Sequence, residues 1–152
     1  MSAMLQNPIY TAPTAPPSIL PEDVRIAEGR NGRVVTYFDA AMGAIRVEAT
    51  GTWTMQQADL HCIQLTALVE DMRMRTGRVR IFVDRRGVET QAPAIIDRIA
   101  GGLDSILRSG DRVAVLVASS LVKMQVRRSV DLSIYELFIS ERAAFLWLLA
   151  HD

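Results

Sequence analysis

Asp111-Arg112-Val113-Ala114-Val115-Leu116-Val117-Ala118-Ser119-Ser120, followed downstream by Ile134-Tyr135-Glu136-Leu137-Phe138 and Ser140-Glu141-Arg142-Ala143-Ala144-Phe145-Leu146-Trp147-Leu148-Leu149, decides the fold. An unbroken apolar run that gives way to helical spacing marks an α/β sheet. The stretch predicts a strand over 112–118, a helix over about 120–131, a strand over 133–138 and a last helix over 141–150. A serine stands at the start of both helices, where its hydroxyl can hold a free N–H group.

Upstream, Ile95, Ile96, Ile99, Leu103, Ile106 and Leu107 predict a helix over 94–108 with these residues facing in. Gly101-Gly102 interrupts it at a cost of about 1 kcal/mol per glycine relative to alanine. Close packing on the sheet or a local break would explain the pair. Residues 78–84 form a strand whose apolar centre (Val79, Ile81, Phe82, Val83) suits a position covered on both faces, and residues 85–93 read as a loop. Before it, Thr54 with Gln57 makes a capping box that opens a helix. Ala58, Cys62, Leu65, Val69 and Met72 give that helix its inner face, and Gly77 ends it.

Residues 33–39 and 44–50 form a hairpin across 40–43. Ile45, Val47 and Ala49 are expected inside, with Arg46, Glu48 and Thr50 wet. A further short strand fits residues 24–27. The expected architecture is therefore α/β, a mixed sheet of about four to five strands with about four helices, in the order β-β-α-β-α-β-α-β-α.

A chain of 152 residues suits one domain and can bury a core without staples. A single cysteine, Cys62, excludes an internal disulfide and fits a reducing compartment, so a cytoplasmic protein is expected. Lys+Arg and Asp+Glu balance at 17 each, which leaves no net field to hold nucleic acid. Although 49% of residues are hydrophobic, no apolar run approaches the roughly 20 residues of a membrane span. The N-terminus shows no basic segment leading into an apolar one, so no secretory signal is expected. Five of the six prolines lie in residues 1–23. That stretch reads as an extended arm and 24–152 as the domain. Ile9, Tyr10, Ile19 and Leu20 suit the arm to dock on its own domain or on a second subunit.

The polar residues offer few catalytic sets. Cys62 belongs to an apolar helix face, where cysteine behaves as a small hydrophobe. His61 is expected at the surface, and His151 lies in the tail. These three make a poor metal set, and no cofactor is expected. Asp84-Arg85-Arg86 stands where the central strand ends, and Ser119-Ser120 opens the helix after the next strand. Together they form a candidate anion, ligand or partner-binding edge, since ligands favour the carboxyl edge of an open α/β sheet. The plainer alternative makes Asp84 a local pairing residue and one of the serines a cap. Arg73, Arg75, Arg78 and Arg80 read as structural, and Trp147 as core.

The chain also resembles a known family. Gly51-Thr52-Trp53-Thr54 closes an early hairpin and starts a helix, and a strand ends in Val83-Asp84. A serine-led helix follows 112–118, and Phe138, Ala143-Ala144 and Trp147-Leu148 close the chain. In this order and spacing they resemble the STAS domain of anti-sigma-factor antagonists, and within it the SpoIIAA-like branch of uncharacterised bacterial proteins. The resemblance covers residues 33–152.

It implies a non-enzymatic regulatory module acting through a protein partner or self-association. STAS antagonists carry a phosphorylatable serine after the central strand, but the matching residues here are Ala92-Pro93-Ala94-Ile95, with no hydroxyl. Thr90 is the nearest candidate for modification. The alternative is a carrier or sensor for a small apolar or amphipathic, lipid-like ligand, drawn from a plan shared with lipid-transfer folds. Met42, Met55, Met72, Met74 and Met124 would suit such a pocket. A hydrolase or transferase would need a cleft that gathers Asp84, an arginine and a hydroxyl.

Overall fold

The computed structural model describes residues 24–150. The proline-rich stretch 1–23 and His151 lie outside the described residues. The elements are β1 (Arg25–Glu28), β2 (Gly32–Asp39), β3 (Ala44–Gly51), α1 (Met55–Thr76), β4 (Arg80–Val88), α2 (Pro93–Ile106), β5 (Arg112–Leu116), α3 (Ser120–Arg127), β6 (Tyr135–Phe138) and α4 (Glu141–Leu149). The six strands lie in the sheet in chain order. β1, β2 and β3 pair antiparallel, and β3, β4, β5 and β6 pair parallel. The mixed α/β plan is as expected. The short strand read at 24–27 is β1, a four-residue edge piece on β2, and with it the sheet has six strands and not four to five.

Two cores sandwich the sheet. On one face Leu65, Val69 and Met72 of α1, Leu103 and Ile106 of α2, and Val122 and Val126 of α3 meet Ile45, Val47, Ile81, Val113 and Val115. On the other, Ala144, Phe145 and Leu148 of α4 meet Met42, Ala44, Phe82, Ala114 and Leu116. Cover on both sides explains why β4 and β5 carry continuous apolar runs and not an alternation.

The capping box of α1 is formed. Thr54 Oγ1 accepts from Gln57 N at 3.1 Å, and Thr54 N donates to Gln57 Oε1 at 3.2 Å. Gln57 Nε2 also donates to Ala27 O and Gly32 O, so the helix start is tied to β1 and β2. At the other end Gly77 takes φ +80°, a conformation that favours glycine.

Five expectations need correction. The inner face of α1 uses His61 and not Cys62: Gln57, Ala58, His61, Leu65, Val69 and Met72 are buried, and Cys62 is half-buried. The first step after Ala58 is three residues and not four, which turns Cys62 toward α2, where its Sγ lies 3.9 Å from Arg98 O. Gly102 is the second case. A Cβ there would stand 2.7 Å from Cys62 Sγ, whereas one at Gly101 meets nothing. Gly102 thus lets α2 close on α1, not on the sheet.

The third is the loop expected from residue 85. β4 continues to Val88, because a register shift between Glu48 and Thr50 lets β3 pair on with Gly87 and Val88. Fourth, α2 buries only Ile95, and Ile96 is exposed, since this helix packs chiefly against α1. Last, Arg46 is buried and not wet, for reasons that belong to the site.

The amino edge of the sheet is closed by Asp111. Its Oδ1 accepts from Arg73 Nη1 (3.0 Å) and Val79 N (3.1 Å), and its Oδ2 from Arg73 Nη2 (2.8 Å) and Arg108 N (2.8 Å). Arg73 Nη2 also donates to Ile106 O. Burial pushes the Asp111 carboxyl up, but Arg73 and the two backbone donors outweigh it and hold it below the usual range. Arg73 is structural, as expected.

Candidate functional site

At the opposite, carboxyl edge, on the α4 face, a shallow cleft of about 410 Å³ is lined by Arg46, Glu48, Ala49, Thr50, Asp84, Arg86, Gly87 and Glu141. The two-residue period of the strands builds it. Arg46, Glu48 and Thr50 of β3 stand in register with Phe82, Asp84 and Gly87 of β4. Glu141 arrives on the first turn of α4, which Ser140 caps by accepting from Ala143 N. A carboxylate there is favoured by the positive end of the helix dipole.

Arg46 is 3% exposed. Its guanidinium lies over the Phe82 ring, 4.7 Å from the centroid, and Nε donates to Glu48 Oε2 at 2.9 Å. Its Nη2 is 3.8 Å from Glu141 Oε2. Arg86 grips Asp84 with Nη2 (2.8 Å), Nε (3.1 Å) and its backbone N–H (3.1 Å), and reaches Glu141 Oε1 at 3.2 Å. The charges therefore alternate along one line: Glu48, Arg46, Glu141, Arg86, Asp84.

Burial pushes the Asp84 carboxyl up, but the Arg86 side chain and backbone outweigh it and hold it below the usual range. Tyr37 joins the line by donating to Glu48 Oε2, and its phenol is held protonated, first by burial and then by that carboxylate. One atom is left over: Arg46 Nη1 is buried and finds no acceptor among the described residues.

The sequence candidates divide across the sheet. Asp84 and Arg86 meet in this cleft. Arg85, one residue between them, alternates to the α2 and α3 face, where burial alone lowers its pKa with no carboxylate acting against it. Ser119 caps α3 by accepting from Val122 N at 3.3 Å, and Ser120 is the first residue of that helix. Neither serine lines the cleft. Thr90 is exposed in the link before α2. Sequence reasoning missed Arg46, Glu48 and Glu141. The readable signal was an acidic residue directly after a serine cap.

The lining holds no pair suited to move a proton. The cleft does gather Asp84, two arginines and the Thr50 hydroxyl, the set a hydrolase or transferase would need, but each of its carboxylates faces a guanidinium. Among the described residues no group of His, Cys, Asp and Glu could hold a metal ion. His61 is buried apart from the cleft, its Nδ1 without a partner, and burial lowers its pKa to about 4. Burial also pushes the Cys62 thiol up, away from reactivity. No described helix is long and apolar enough to cross a membrane.

Two solved structures share the architecture. One is an uncharacterised protein of the DUF3478 family with a SpoIIAA-like fold from Shewanella loihica PV-4. It aligns at a TM-score of 0.56 and 15% identity, over 80% of this chain and 96% of that one. The other is an anti-sigma factor antagonist from Mycobacterium paratuberculosis, at a TM-score of 0.53 and 14% identity, over 77% and 93%. The chain has a SpoIIAA-like, STAS-type fold. No family model and no curated protein matches its sequence. At these identities the likeness is one of fold, and the STAS plan alone assigns no activity.

Proposed function

We propose that the chain is a non-enzymatic regulatory module that docks a protein partner through the carboxyl-edge ends of α2 and α3. The observation that carries this is apolar exposure on the opening turns of those helices. Ile96, Leu121 and Met124 are 53%, 65% and 58% exposed. Large apolar side chains left exposed near helix starts are of the kind that interaction surfaces use. Neither helix has an acidic residue in its first turn, and α2 has no side-chain cap. With Arg85 on the same face, this edge favours an apolar segment that carries acidic groups.

The structural neighbour named an anti-sigma factor antagonist supports a regulatory role. A serine switch has no hydroxyl to use at Ala92-Pro93-Ala94-Ile95. Phosphate on Thr90 would instead place its charge ahead of the uncapped α2 start. The lipid-carrier alternative has less behind it, since charged side chains dominate the cleft lining.

The test is native mass spectrometry of protein drawn gently from its host, beside an Ile96→Asp/Leu121→Asp variant with unchanged circular dichroism. A protein partner or oligomer held by the parent and lost from the variant is expected. A strict monomer without partner overturns the reading, and a reproducible small-molecule mass moves it to the carrier.

A further inference from the structure

The alternating charges of the cleft do not close on themselves. Arg86 fills both oxygens of Asp84 and reaches Glu141 Oε1. Two groups are left over at the other end. Both donors to Glu48, Arg46 Nε and the Tyr37 hydroxyl, end on Oε2. Oε1 of this side chain, which is 40% exposed, accepts from none of the described residues. Arg46 Nη1 is buried and finds no acceptor among them. A buried donor left unmade costs about 1–3 kcal/mol, and more when charged. Arg46 and Glu48, two residues apart on one strand, share a face. The cleft thus offers a cationic donor beside an anionic acceptor.

These two groups select the chemistry of a ligand. Three carboxylates (Glu48, Asp84, Glu141) against two guanidiniums (Arg46, Arg86) leave the lining a formal charge of −1. A simple anion would meet Arg46 Nη1 but add to that charge. A simple cation would meet Glu48 but leave Nη1 unmade, and an apolar molecule would meet neither. A compact group that carries a carboxylate next to an ammonium meets both, through charge-assisted bonds, the stronger kind. A second positive charge on the same molecule brings the sum to zero.

Size and access agree with this choice. The volume of about 410 Å³ falls in the range of small-ligand sites, roughly 300–1,000 Å³. Nη1 is closed to solvent, so a wall of the cleft must give as the ligand enters. Glu48 and Arg86, 40% and 47% exposed, are the walls with room to move.

We infer that the cleft binds a free basic α-amino acid. Its carboxylate accepts from Arg46 Nη1, its α-ammonium donates to Glu48 Oε1, and its side-chain cation offsets the remaining negative charge. The site gives a regulatory module a small molecule to respond to. It does not depend on docking at α2 and α3, which face the other side of the sheet.

The test is a titration of the full ¹⁵N-labelled chain with L-arginine and with L-lysine, followed by amide shifts. Saturable shifts at Glu48, Thr50, Asp84, Gly87 and Glu141 are expected. No saturable shift with either amino acid, or shifts confined to other residues, overturns the inference. Agmatine lacks the carboxylate, and Nα-acetyl-L-arginine amide lacks both the carboxylate and the ammonium. Each should bind about tenfold more weakly or worse, the equivalent of one hydrogen bond to a charged group. Equal binding of agmatine overturns the contact with Nη1. Equal binding of the blocked amide overturns the free amino acid in favour of an arginine residue in a partner chain, and equal binding of acetate reduces the cleft to a general anion site. A Glu48→Gln variant with an unchanged melting temperature should lose affinity for L-arginine by about the same factor, and full retention would overturn the role of Glu48.

Discussion

Both edges of the sheet are held by arginine–carboxylate pairs, and they differ in completeness. At the amino edge both oxygens of Asp111 are filled twice, by Arg73, Val79 N and Arg108 N. The network is buried and binds α1, α2, β4 and β5 into one joint. At the carboxyl edge five charges alternate along a cleft, from buried Arg46 to half-exposed Arg86, and Arg46 keeps an N–H group with no acceptor among the described residues. A completed network acts as a lock, because any change leaves a buried group unpaired. An incomplete one has room for another group and costs less to disturb. The contrast separates structural charge from charge available for recognition.

The largest test of that contrast is Asp111→Ala. Breaking a buried pair typically costs about 3–5 kcal/mol, which urea unfolding should report as a lower midpoint with an unchanged slope. A loss equal to that of a surface charge would dissolve the distinction.

Next comes pH, which separates both networks from the core. Asp84 and Asp111 have lowered pKa values, so their stabilisation holds above the ordinary carboxylate range and fails only in stronger acid. His61 acts in a higher window. Its pKa falls from 6.5 to about 4 on folding, so between those values the unfolded chain takes up a proton that the folded chain refuses. Stability should therefore drop from pH 7 toward pH 4, by up to about 3 kcal/mol. His61→Gln should flatten the curve in that window and leave the acid limb in place.

A smaller effect is expected at the open edge. Arg46→Met keeps the packing over Phe82 and frees Glu48 and Glu141 to hydrate. A loss near 1.5 kcal/mol, the low end for a hydrogen bond to a charged group, should appear in the same urea experiment. A loss matching Asp111→Ala would make the cleft a second lock.

The smallest effect touches neither edge and calibrates the scale. Gly101→Ala, which meets nothing, should stabilise α2 by about 1 kcal/mol. Gly102→Ala should destabilise through contact with Cys62 Sγ, and thermal melts will show the two signs.

Features governed by neighbours in sequence were legible. Thr54 with Gln57, Gly77, and the serines before α3 and α4 set helix ends through bonds within four residues, and all stand as read. Features governed by distant partners were not. β4 runs past Asp84 because β3 shifts register. The choice between His61 and Cys62 is a rotation of about 100°, settled by where α2 lies. Arg46 follows the alternation that reads as wet, but Phe82 below and Glu141 from the last helix enclose it. Asp84 and Arg86 share a face by simple strand period. They were grouped with Arg85 and the two serines because the strand was ended too soon.

The order of strands bears on synthesis. In the sequence β1-β2-β3-β4-β5-β6 no strand is inserted between two earlier ones. Each emerging strand adds to the edge left by its predecessor, so the sheet can grow in the direction of translation, through two tight hairpins first and three helical crossovers after. The contacts of Glu141 with Arg46 and Arg86 come last. They join the final helix to the third and fourth strands, and register that the whole sheet has been laid down.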